Sequence, residues 1–211
     1  MAQVGVIAAV LGAMEKHEKH QSIQESGCAV LAALAMDELL ESRIGDAGGI
    51  RRLVRALILH PSHYGVQNKG TLGLQNLSCQ VSNKFEIVKV EGVVVILATM
   101  RNFLARPAVQ AQGCGVLANL WKIDNKGGIV AKTGINEGIA SVFAAMREHS
   151  GHAGVQAHAC AALWNLALDS AHRARILREG GLSLVQVALN NHGLEDRVQR
   201  FGSGAEKILS A

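Results

Sequence analysis

The 211 residues are about half apolar, yet they include only one Tyr, four Phe, two Trp and two Pro, a balance that excludes an aromatic-cored sheet protein and favours closely packed helices. Twenty-one Lys and Arg against 17 Asp and Glu leave a mild charge of +4, without the basic runs or interleaved aromatics of a nucleic-acid interface, so nucleic acid is disfavoured as a partner. No apolar stretch reaches membrane-spanning length, so no membrane insertion is expected and the predicted location is intracellular, in the cytoplasm with the nucleus as an alternative.

The first predicted element, VGVIAAVLGAM over residues 4–14, has the length of a signal-peptide core. No Lys or Arg precedes it and no small-x-small cleavage site follows, so it is read as a helix of the mature protein. SIQESGCAVLAAL (22–34) is the second, and from there the chain repeats itself: GVQNKGTLGLQNL (65–77), AVQAQGCGVLANL (108–120), GVQAHACAALWNL (154–166) and RVQRFGSGAEKIL (197–209) align with it. Their glutamines, Gln24, Gln67, Gln110, Gln156 and Gln199, are 43, 43, 46 and 43 residues apart. A second track keeps the same spacing: Ile7, Ile50, Val93, Ile139 and Leu182 each open an apolar helix seven residues before Met14, Leu57, Met100, Met146 and Leu189. Two tracks that pass through one shared three-residue insertion mark a repeat architecture.

A shorter element lies between these helices, clearest in NKFEIVKVEG (83–92) and HRARILREGG (172–181), and it makes each unit a row of three helices with a glycine-marked turn. NKGGIVAKTGINEG (125–138) is the same element in the fourth row, where a lengthened link to the next helix is expected to account for the spacing of 46. Its GGIVAKTG does not satisfy the phosphate-loop pattern, because Lys126 and Ala131 stand where glycines are required and no strand precedes it.

A short helix, a glycine, an apolar helix and then a V-Q-x-x-G-C-x-x-L-x-N-L helix together resemble the armadillo repeat. The resemblance covers the whole chain as one domain, 1–211, with rows at about 1–38, 39–80, 81–123, 124–169 and 170–211, the first lacking its short helix. It implies an all-α, right-handed α-solenoid in which the third helices line a concave groove. Rows stacked at about 10 Å would offer on the order of 15 extended residues of binding length.

Counting from each glutamine, the third, fourth, seventh and tenth steps are small or apolar, apart from Glu206 at the seventh step of the last row, and define a buried stripe. Cys28, Cys114 and Cys160 share the fourth step, one row apart, which suits packing and not a shared metal ion. The small third-step residues are expected to let neighbouring helix backbones approach. The glutamine is expected to satisfy backbone groups of the first turn or an adjacent loop. His17/His20, His60/His63 and His149/His152 form H-x-x-H pairs in the links, but two rows break the pattern and further ligands are lacking, so no metal is expected. No catalytic set is present either, and the chain is read as a non-enzyme without cofactors.

The remaining faces carry the candidate site. The second step holds Lys69, Gln112 and His158, and the ninth holds Asn76, Asn119 and Asn165; Lys122 and Trp164 lie close by, with Asp37 and Asp169 interrupting the line. In the resemblance, such asparagines clamp the backbone of an extended peptide. The tryptophan that precedes each by one turn in the importin-α class is absent here, since Leu72, Gly115 and Ala161 stand at that step. A nuclear-localisation-signal receptor is therefore disfavoured. The leading reading is a scaffold that binds an extended segment of another protein or peptide, against hydrogen bonding of the asparagines only to neighbouring rows. The alternatives are a spacer within a larger armadillo protein and, less favoured, a weak binder of acidic ligands or nucleic acid. End-to-end self-association through the uncovered Val6, Val10 and Leu11 of the first row is a further expectation.

Overall fold

The computed structural model describes residues 2–122 and 134–211. Every regular element among them is an α-helix, thirteen in all. α1 (Ala2–Lys16) and α2 (Gln21–Leu34) form the first row, and α3 (Glu38–Asp46), α4 (Gly49–Leu59) and α5 (Tyr64–Leu77) the second. The third comprises α6 (Val81–Lys89), α7 (Gly92–Asn102) and α8 (Pro107–Trp121). α9 (Ile135–Glu148) and α10 (Ala153–Leu166) belong to the fourth row, and α11 (Ser170–Arg178), α12 (Gly181–Asn191) and α13 (Asp196–Leu209) to the fifth. The short helix expected in the fourth row and the GGIVAKTG loop fall in 123–133, outside the described residues. The architecture is an all-α solenoid of repeated rows. No helix among the described residues is long and apolar enough to cross a membrane.

The chain divides into two compact units, Met1–Asn102 and Phe103–Ala211. In the first, α2 lies along α5; in the second, α10 lies between α8 and α13.

The repeated glutamine explains why the two sequence tracks keep step. Its Nε2 donates to two carbonyls ten and seven residues upstream. Gln24 reaches Met14 O (2.8 Å) and His17 O (2.9 Å), and Gln67 reaches Leu57 O (2.8 Å) and His60 O (3.0 Å). Gln156 holds Met146 O and His149 O, and Gln199 holds Leu189 O and His192 O, at 2.8–3.0 Å. Gln110 bonds Phe103 O at 2.9 Å. These are the carbonyls left over where a second helix ends and its link begins, so of the two expected partners the amide serves the adjacent loop, with the helix end before it, and the first-turn alternative is corrected. The small third step is corrected in the same way. A Cβ at Gly27, Gly70 or Gly202 would lie within 2.4–2.7 Å of Met14, Leu57 or Leu189, so the missing side chain makes room for the last apolar residue of the row's own second helix, and not for a neighbouring backbone.

Helix starts are capped by residues that looked chemical. The Asp37 carboxylate accepts the N–H groups of Leu39 and Leu40, and Asp169 those of Ala171 and His172. The two aspartates are N-caps. The second histidine does the same in two of the three pairs, with Nδ1 of His63 accepting from Val66 N (3.2 Å) and Nδ1 of His152 from Val155 N (3.3 Å), whereas His20 precedes α2 without a side-chain cap. The turn before α4 and α12 needs left-handed backbone, supplied by Gly48 (φ 85°) and Gly180 (φ 86°); Glu91 (φ 58°) takes that conformation before α7 without a glycine.

The fourth row carries the three extra residues. α9 has 14 residues where α4, α7 and α12 have 11, and its added turn, Ile135–Glu137, precedes Gly138, the counterpart of Gly49. The insertion adds a turn at the start of this helix, after the left-handed Gly134; the link expected to lengthen lies in 123–133, outside the described residues.

Gln67 is 1% exposed and its Oε1 also accepts a short hydrogen bond from Thr99 Oγ1. Gln67→Leu should strand two buried carbonyls and lower stability by about 2–4 kcal/mol, measured by urea unfolding. Cys28, Cys114 and Cys160 are fully buried, and burial pushes each thiol up to about 12, whereas Cys79 is exposed. A maleimide should therefore modify Cys79 alone in the native protein and all four cysteines after denaturation, as read by mass spectrometry.

Candidate functional site

The third helices position every residue of the candidate site, in each unit separately. In the first unit Lys69 and Asn76 project from α5, both half-buried. In the second, Gln112 and Asn119 are half-buried on α8, Lys122 is the exposed residue that ends it, and His158, Trp164 and Asn165 are half-buried on α10. The second and ninth steps of a helix fall on the same side, seven residues apart, so Gln112 stands above Asn119 on α8 and His158 above Asn165 on α10.

The asparagines tie rows together. Nδ2 of Asn76 donates to Ala32 O, and Nδ2 of Asn165 to Ala118 O, each at 2.9 Å and each reaching the third helix of the preceding row. Each bond takes one amide hydrogen. The second hydrogen and Oδ1 remain part of the half-buried side chain, which keeps the amides chemically capable of holding a peptide backbone.

His60 and His149, the first histidines of two pairs, and the unpaired His192 at the same place in the fifth row are inter-row ties as well. Nε2 of His60 lies 2.7 Å from Glu18 O, that of His149 2.7 Å from Leu104 O, and that of His192 2.9 Å from Ser150 O. A carbonyl only accepts, so Nε2 carries the hydrogen in all three. Both members of the H-x-x-H pairs in these rows are thus spent on backbone groups. Among the described residues no group of three or more His, Cys, Asp or Glu is placed to hold a metal ion.

Trp164 packs onto the following row. A Cβ at Gly204 would sit 2.7 Å from its indole, and its ring centroid is 6.5 Å from that of Phe201. Gly204 therefore permits a ring-on-backbone approach that any other residue would block. Trp121, the other tryptophan, is buried and lies over Gly138 of α9.

His158 has the most perturbed environment of the candidates. Burial, and then the neighbouring Arg197 guanidinium, push its imidazole down to about 4; the Ala111 backbone opposes them. Nη2 of Arg197 lies 2.9 Å from Nε2 of His158. Arginine can only donate, so His158 accepts through Nε2 and is neutral. Arg197 opens the last aligned segment, and its placement four residues before Phe201, on the same helical side, is the sequence signal that points to it. Because the folded imidazole titrates below the ordinary 6.5, the unfolded chain binds the proton first as pH falls. The stability His158 contributes is present above pH 6.5 and lost toward pH 4, by on the order of 3 kcal/mol. His158→Gln should flatten the fall in melting temperature between those two values, as followed by circular dichroism.

Comparison with known proteins agrees with this architecture. Protein aardvark of Dictyostelium discoideum is 38% identical over 133 residues, an alignment that takes in 57% of this chain and 18% of that protein. The chain thus spans less than a fifth of the length of the curated relative it matches. A family model described as the LRRK2 ARM repeat matches residues 2–193, which takes in the described rows from α1 to the end of α12. Armadillo-type rows are a protein-interaction scaffold and not a catalytic fold. By that match over most of its length, the chain belongs to the LRRK2 ARM repeat family.

Proposed function

We propose that the chain is a non-enzymatic scaffold that binds an extended segment of a partner protein along its third helices. The observation that carries the reading is the amide at the ninth step of α5, α8 and α10: Asn76, Asn119 and Asn165. Asn76 and Asn165, which each spend one hydrogen on the preceding row, still offer a donor and an acceptor. Those two groups match the N–H and C=O of an extended backbone without constraining its side chains. Gln112 and His158 stand one turn-pair above these amides, and Lys122 at the foot of α8, as polar neighbours for the same segment.

Asn165 also holds Ala118 O, so its loss affects folding by about 1 kcal/mol as well as binding, and the test must separate the two. A partner isolated with the wild-type chain should bind the Asn119→Ala, Asn165→Ala variant about tenfold more weakly or worse, by calorimetry at a temperature where circular dichroism shows both chains folded. Unchanged affinity would sink the third-helix assignment. Cross-links concentrated on the second helices α4, α7 and α12, where Ile58, Val94 and Val187 are exposed, would instead favour a spacer that meets other parts of a larger protein through its outer face.

A further inference from the structure

Four arginines are neutralised by carboxylates: Arg51 pairs with Glu86, Arg52 with Glu15 and Glu18, Arg55 with Glu18, and Arg175 with Glu179, at 2.6–3.3 Å. Arg197 is exposed on α13, and among the described residues no carboxylate pairs with it. Its neighbours Glu195 and Asp196 sit at the start of α13, where the helix dipole favours them, and neither forms an ion pair with it.

What holds Arg197 is an uncharged acceptor. Nε2 of His158 takes one N–H at 2.9 Å, which fixes the guanidinium and leaves its charge and its other donors unspent. A positive fork oriented by a neutral ring is prepared for an anion that the chain does not itself provide. The surroundings add to this. Arg200, a second exposed cation, lies with Cζ 5.6 Å from the centre of the Phe201 ring, and Phe201 and Trp164 form a half-buried aromatic pair beside it. On the third helices of this unit the acidic groups are Asp196 and Glu206, one at the first turn of α13 and the other hydrogen-bonded to Gln186 Nε2 at 3.2 Å.

We propose that Arg197, positioned by His158, anchors a carboxylate side chain of an acidic peptide segment lying along α8, α10 and α13. The inference rests on the third-helix reading and gives it a charge: the preferred partner segment carries Asp or Glu, with the stem of the anchored side chain against Phe201. Arg197 is the binding group. His158 acts through it, as a positioning residue.

The test uses the full 211-residue chain and two fluorescein-labelled peptides, one alternating Glu and Ser and one alternating Lys and Ser, read by fluorescence anisotropy. The Glu/Ser peptide should bind and weaken as salt is raised, and the Lys/Ser peptide should not bind. Arg197→Gln, at an exposed site, should leave the circular dichroism spectrum unchanged and reduce affinity about tenfold or more; Arg197→Lys, which keeps the charge and loses the fork, should fall between. His158→Leu should weaken binding with Arg197 intact, and His158→Gln, which restores an acceptor oxygen, should recover it. Equal binding of the two peptides, no binding of the Glu/Ser peptide, or indifference to Arg197→Gln would overturn the anchor. Loss of Glu/Ser binding in the Asn119→Ala, Asn165→Ala variant together with indifference to Arg197→Gln would overturn the anchor alone and leave the third-helix reading standing.

Discussion

A primary amide has two hydrogens on one nitrogen, and in this chain that nitrogen holds the loose end of one helix against the start of the next. Gln24, Gln67, Gln156 and Gln199 each clasp the carbonyls ten and seven residues upstream. Those carbonyls belong to the last turn and exit of the second helix, where no backbone donor is available. The same residue whose carbonyl is clasped, Met14, Leu57 or Leu189, puts its side chain over the small third step of the third helix. One glutamine thus fixes both the distance and the angle between two helices, and the row is built around that corner. The constant ten-residue offset between the two tracks follows from this coupling, across the spacing of 46 as across those of 43, because neither anchor can shift without breaking its contact with the other.

The rows themselves are joined by groups that in another setting would suggest chemistry. Histidine, asparagine and aspartate at recurrent positions look like ligands, bases or clamps when read along the chain. In space, His60, His149 and His192 bond a carbonyl of the row before, Asp37 and Asp169 cap short helices, and Asn76 and Asn165 reach back to the preceding third helix. A solenoid buries much backbone at row boundaries without sheet hydrogen bonds to satisfy it, and polar side chains of modest length are the cheapest supply of donors. Recurrence at one step is therefore the expected sign of a structural tie. The residues that depart from recurrence carry more information about binding.

His158 and Arg197 depart in this way. The second step is Ser26, Lys69, Gln112, His158 and Phe201 in turn, with no type repeated, so row geometry does not dictate it. The HAC triplet within VQAHACAALWNLA separates accordingly: Cys160 is sealed in the stack with its thiol pushed up to about 12, while His158, two residues earlier, is a neutral acceptor turned to the next row's arginine. Trp164 and Asn165, adjacent in sequence, divide in the same manner, one lying on Gly204 of the following row and the other reaching Ala118 of the row before. A helix packed on both sides sends consecutive residues to different neighbours.

The sequence by itself determined the helical class and most of the buried stripe, because both follow from periodicity, and periodicity is visible in one dimension; the armadillo family was legible in the motif that the third helices share. It also placed the candidate amides correctly at one step of the third helices. Tertiary structure decided what each polar residue touches. That glutamine closes the helix before it, that the small third step receives its own row's side chain, and that the three-residue insertion becomes a turn of α9 are matters of relative helix placement. The Arg197–His158 pair spans 39 residues and two helices, and no local pattern encodes it. A hydrogen bond depends on distances of a few tenths of an ångström, whereas the repeat specifies only which side of a helix a residue occupies.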